Sequence, residues 1–79
     1  MKKNILKKWL VEALENYNGI ASIVEICKFI WGKHENDLKL SGDLFFTWQY
    51  DLRWAAYELR RNGIMKSALD SSKGIWELV

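Results

Sequence analysis

Apolar positions fall at helical spacing in three stretches of this chain and lose that period only near its end. In the first, Leu6, Trp9, Leu10, Ala13, Leu14 and Tyr17 form one stripe and predict a helix from about Asn4 to Tyr17. Asn4 is expected to cap its start. Asn18-Gly19 is expected to stop it, because Gly adopts the left-handed conformation that follows a helix C-terminus. Lys7, Lys8, Glu12 and Glu15 lie off the stripe and read as a solvated face. Ile20-Ala21 is a short connection able to form one rung of a small sheet. Ser22-Ile23-Val24-Glu25 has the capping-box pattern: the hydroxyl accepts from the backbone three residues on, and the carboxylate reaches back. It opens a second helix with Ile23, Ile26, Cys27, Ile30 and Trp31 turned inward, which Gly32 either ends or weakens. Residues 33–43 are polar, with Leu38 and Leu40 embedded. They read as a helix tail or extra turn, then a loop at Ser41-Gly42.

The third stretch, Thr47 to Asn62, is the one around which the chain is organised. Placed at about 100° per residue, Trp48, Leu52, Ala55, Ala56 and Leu59 gather on one side, the buried face. Tyr50, Arg53, Trp54, Tyr57 and Arg61 gather on the other, with Asp51 and Glu58 on a flank. Thr47 is the expected N-cap, Phe45 and Phe46 are expected to anchor the entry to the core, and Asn62-Gly63 is a second glycine stop. Beyond it, Ile64–Leu69 and Gly74–Val79 have strand character and flank the turn-forming run Asp70-Ser71-Ser72-Lys73. This predicts a hairpin with Trp76 and Leu78 on one face and Glu77 on the other. The fold class that follows is mainly α (α+β). It is a winged helix-turn-helix, three helices followed by a C-terminal β-hairpin wing, in one domain over residues 1–79.

Composition changes this picture little. The chain holds 12 Lys and Arg against 10 Asp and Glu, a net charge of +2, so any affinity for nucleic acid requires charge arranged locally. Five Trp supply large apolar area for a short chain. A single cysteine, Cys27, excludes an intramolecular disulfide and fits a reducing compartment. No apolar run approaches the roughly 18 residues of a membrane span, and no signal-peptide pattern opens the chain. A cytoplasmic chain without membrane contact is expected. Catalytic chemistry finds little material. Cys27 and His34 could share a helix face, but two ligands do not make a zinc site, and a Cys-His pair here lacks a third group. No glycine-rich phosphate loop is present. The expectation is a chain that is not an enzyme, with no cofactor or small-molecule substrate, Cys27 buried and His34 at the surface.

The second half carries a family resemblance. The run Trp48-Gln49-Tyr50-Asp51-Leu52-Arg53-Trp54-Ala55, then Leu59, then Asn62-Gly63-Ile64, then Lys73-Gly74-Ile75-Trp76, resembles the N-terminal winged-helix domain of Mrr-type restriction proteins. The first half is similar more loosely, through an Ala-Leu-bearing first helix, a Gly, and Ala-Ser-Ile before a helix containing Glu-Ile. The resemblance implies a DNA-binding module that places a separate effector on DNA. The nuclease domain of the family's restriction members has no counterpart in these residues.

Under that reading the third helix enters the major groove, where the N-terminal part of a recognition helix meets base edges. Gln49 can make bidentate bonds to adenine and Arg53 to guanine. Tyr50, and further along Tyr57, can bond phosphate or stack. Ser71, Ser72 and Lys73 at the wing tip would lie across the backbone or minor groove, with Lys73 donating to a phosphate. Arg60 and Arg61 suit the helix C-terminus, where the dipole favours cations, and Lys2 and Lys3 could follow phosphates as a short arm. For Arg53 the competing assignment is an ion pair with Asp51 or Glu58. Trp54 and Trp48 read as packed residues, Trp54 near Trp76. The expected partner is double-stranded DNA, with a homodimer or a separate effector as further partners. The rival reading is a winged-helix protein-interaction module using the aromatic face of the third helix, since Tyr, Trp and Arg dominate interface hot spots.

Overall fold

The computed structural model describes residues 2–79. In chain order these form α1 (Ile5–Asn16), β1 (Ile20–Ser22), α2 (Ile23–Lys39), α3 (Leu44–Arg61) and β2 (Ile75–Glu77). The three apolar stripes meet in one core. Leu6, Leu10 and Leu14 of α1, Ile26, Ile30 and Leu38 of α2, and Leu52 of α3 are sealed from solvent, with Trp9, Trp48 and Trp76 almost so.

Each helix boundary has a local cause. α1 ends as expected: Asn18 (φ 61°) and Gly19 (φ 94°) turn left-handed, and the Gly19 amide donates to the Leu14 carbonyl at 2.7 Å. At its start, however, Asn4 takes helical dihedrals and its side chain caps nothing. α2 opens with the full capping box, Glu25 N–H to Ser22 Oγ at 3.1 Å and Ser22 N–H to Glu25 Oε1 at 2.9 Å. It runs through Gly32 and breaks instead at His34 (φ −118°, ψ 19°), where the imidazole turns onto Trp9 of α1. Leu38 lies in the core, while Leu40 is left exposed.

α3 begins one turn earlier than Thr47, because Leu44 shares the phase of Trp48 and Leu52 and is buried with them. Thr47 is therefore inside the helix and caps nothing; its hydroxyl donates to Asp51 Oδ2 at 2.8 Å. The same phase corrects Phe46, which points away from the core and is 83% exposed. Phe45 does pack, against Trp31.

The expected hairpin is largely replaced by a different pairing. β2 lies antiparallel to β1, with Ile20, Ala21 and Ser22 opposite Glu77, Trp76 and Ile75. Residues 64–69 contribute one bridge, Met65 to Leu78, flanked by Lys66 N–H to Glu77 O at 2.8 Å and Val79 N–H to Ile64 O at 3.0 Å. The reason is burial. Met65 alone of this segment fits the core, whereas Ile64 and Leu69 remain exposed, so no apolar face holds a longer strand in register. Trp76 and Leu78 do share the core face. Glu77 points away from it and pairs with Lys66 at 3.0 Å. The architecture is a compact α+β domain, three helices with a two-stranded antiparallel sheet whose first strand precedes α2 and whose second is C-terminal.

Candidate functional site

With one side of α3 committed to the core, helical geometry fixes the opposite side. Phe46, Tyr50, Arg53 and Tyr57 fall within roughly 60° of one another about the axis and form a single outward stripe. Tyr50 is 78% and Tyr57 58% exposed. Arg53 is exposed and makes no ion pair among the described residues. The carboxylates proposed for it are otherwise engaged, Asp51 with Thr47 and Glu58 with Arg61 at 3.9 Å.

Beside the stripe, where α2 crosses the first half of α3, runs a groove of about 650 Å³. Ile23, Cys27, Trp31 and Trp48 give it an apolar lining, and Lys28, Gln49, Tyr50 and Arg53 supply the polar groups. Gln49, Tyr50 and Arg53 are thus brought together. Tyr57 lies outside the groove, further along the stripe. Burial pushes the Cys27 thiol up from its ordinary value, opposed in part by the positive charge of Arg53. Both effects follow from Cys27 lying in the wall under that guanidinium.

The loop before β2 is tied to the start of α2. The Gly74 carbonyl accepts from the Ile23 amide at 3.0 Å, and the Ser72 carbonyl from the Ile75 amide at 3.0 Å. Ser72 and Lys73 are exposed next to this tie, so they belong with the α2 end of the groove, not with the α3 stripe. Ser71 turns inward, and its hydroxyl finds no partner among the described residues. Arg60 holds the far side of the sheet, donating from Nε to the Lys66 carbonyl at 3.0 Å.

Trp54 is half-buried against the core, but no ring contact joins it to Trp76 among the described residues. Its neighbours are cations. Lys3 Nζ lies 4.4 Å and Lys7 Nζ 5.5 Å from the ring centroid. These lysines extend the outer face of α3 across to α1, a contribution the sequence hid. Lys7 read as solvated and Lys3 as a loose arm, and only tertiary packing places both over Trp54. Their mutual i,i+4 spacing was the one available hint.

Cys27 and His34 do not meet. Cys27 faces α3, whereas His34 is stacked on Trp9 (centroids 4.0 Å, planes 9° apart), with Nε2 2.8 Å from Glu12 Oε1. His34 is therefore packed between α1 and α2, not displayed at the surface. Its hydrogen bond, followed by that of Lys33 at 3.0 Å, holds the Glu12 carboxyl below its ordinary value. Among the described residues no helix is long and apolar enough to cross a membrane. Comparison of the chain with models of protein families, with curated proteins and with solved structures returns no match.

Proposed function

We propose that this domain is a DNA-binding module of winged helix-turn-helix type, in which α2 and α3 form the helix-turn-helix and the sheet-side loop serves as a short wing. The observation that carries this reading is the first half of α3. Gln49, Tyr50 and Arg53 stand together on its open side, with Arg53 free of ion pairs among the described residues and Lys28 across the groove. A guanidinium and a carboxamide on the N-terminal part of an exposed helix suit base edges in the major groove. Lys73, at the α2 end of the groove, suits a flanking phosphate. The resemblance to the Mrr-type N-terminal domain points the same way, and the role it implies is to place an effector on DNA.

The test is fluorescence anisotropy with short duplex DNA at roughly 50 and 200 mM salt. About four phosphate contacts predict a slope of log K against log salt near −3.6, about a hundredfold loss across that range. A folded sample that does not bind at the lower salt would remove this reading.

A second reading has its own support, a protein partner docking on α3. Phe46, Tyr50 and Tyr57 present three exposed rings along one line, more aromatic surface than base-edge recognition uses. Under it, Arg53→Glu leaves partner binding partly intact.

A further inference from the structure

The rings of the α3 stripe pose a problem for a helix that only reads duplex edges. In a duplex the base faces are hidden in the stack, so side chains in the major groove reach edges and methyl groups. Phe46 and Tyr50 are about four-fifths exposed, and Tyr57 more than half. The three follow one helical line over roughly 16 Å of axis, at 1.5 Å per residue. Planar rings at intervals along a line suit ligands that present flat faces in succession.

Charge lies on both sides of that line. On the α1 side, Lys3 and Lys7 are gathered over Trp54. On the α2 side, Lys28 and Arg53 border the apolar groove. Of the two acids on the α1 side, Glu58 faces Arg61 at 3.9 Å, while Asp51 accepts from the neutral Thr47 hydroxyl and keeps its charge, so Lys3 and Lys7 outnumber the one uncompensated carboxylate there. A row of rings between two cationic margins is complementary to a strand whose bases are unpaired and whose backbone is anionic.

Resting on the DNA-binding reading above, we infer that the Phe46–Tyr50–Tyr57 stripe of α3 binds single-stranded DNA. Unpaired bases stack on the rings, and the phosphates run between Lys3 and Lys7 on one side and Lys28 and Arg53 on the other. The groove beside Tyr50 admits one base, with Gln49 and Arg53 at its edge for hydrogen bonds. Specificity for base identity is low, since every base has a face to stack.

The experiment compares three labelled probes of equal length in anisotropy: oligo-dT, a blunt duplex, and a strand of abasic sugar-phosphate. It uses the native protein and the variants Tyr50→Leu and Tyr50→Phe, whose folding is checked by circular dichroism. The native protein is expected to bind oligo-dT at least as tightly as the duplex and well above the abasic strand. Tyr50→Leu should weaken oligo-dT binding about five- to a hundredfold, the effect of losing one stacking ring. Tyr50→Phe should restore it, because the ring is kept; Tyr50→Leu also removes a duplex contact, but should weaken duplex binding by a smaller factor than it weakens oligo-dT binding. Abasic and dT strands binding alike, or Tyr50→Leu weakening duplex and oligo-dT equally, would overturn the inference. Duplex binding without oligo-dT binding would also overturn it, leaving the duplex reading standing; loss of all three removes both.

Discussion

The contact between α1 and α2 and the outer face of α3 are built from the same kinds of residue, yet they end in opposite states. At the first, Trp9 lies flat on His34, His34 bonds Glu12, and Lys33 completes the pair with the same carboxylate. At the second, Tyr50, Arg53 and Tyr57 have no ring, hydrogen-bond or ion-pair partner among the described residues. Aromatic and charged side chains in close company therefore indicate nothing by themselves. What separates structure from recognition is whether the groups use up one another's capacity. The His34 cluster is closed, and its groups hold helices together. The α3 stripe is open: apart from the edge contact of Phe46 with Phe45, its rings and its guanidinium have no such partner among the described residues.

Removing the closed side should produce the largest effect. Trp9→Ala takes a buried indole from the core and the stacking partner from His34, and should cost about 3–5 kcal/mol of stability in urea unfolding. For a domain this small that approaches the whole of a net stability near the low end, about 5 kcal/mol. A loss below about 1 kcal/mol would mean that the cluster does not bind the helices together. Next in size, Arg53→Glu should weaken duplex binding about a hundredfold, because a contact of roughly 1–3 kcal/mol is replaced by repulsion. Its thermal midpoint should stay near that of the native protein. Equal binding by the two proteins would close the site as argued.

The smallest effect concerns pH. The folded-state pKa of Glu12 is depressed below 4.5, so its pairing adds stability that is fully present above the ordinary carboxylate range. That stability is lost as the pH falls through the depressed folded value. Glu12→Gln should therefore flatten the decline of the urea midpoint between about pH 5 and pH 3. The change should be modest, because the Glu12 side chain is 37% exposed and solvent screens the pair. An acid limb as steep in the variant as in the native chain would assign the decline to other carboxylates.

Where one local rule decided, the sequence was readable. The stripe of α1, the Ser22–Glu25 box and the Trp48–Leu59 face all formed as their spacing required. The start of α3 was misplaced because Thr47 matches a cap by type, whereas the burial of Leu44 determined the boundary. The hairpin was misjudged for a different reason. Turn chemistry at residues 70–73 is local, but whether β2 pairs with the segment before it or with β1 depends on contacts distant in sequence. The same distance concealed Lys3 and Lys7 over Trp54, and His34 against Trp9. Of the candidate site, Tyr50, Arg53 and the open position of Tyr57 were legible from helical phase, whereas Gln49 was drawn from its place near the start of the helix. The apolar floor beside them was not legible, because it needs α2 laid across α3.

The pairing of β2 also has a consequence in time. By joining Ile20 to Glu77, it spans most of the chain, whereas the helices and their caps join near neighbours. Loop-closure entropy sets contacts of long span behind those of short span. The turns within each helix can therefore form before the last strand arrives, whereas the docking of α1 on α3 spans nearly as much chain as the sheet does. That strand lies between β1 and Met65 and takes the Ile23 amide through Gly74, so its arrival fixes the start of α2 and the segment after α3 together. The sheet is the latch of this fold: small in area, closed only when distant parts of the chain have met, and coupled to the end of the groove where Ile23 lies.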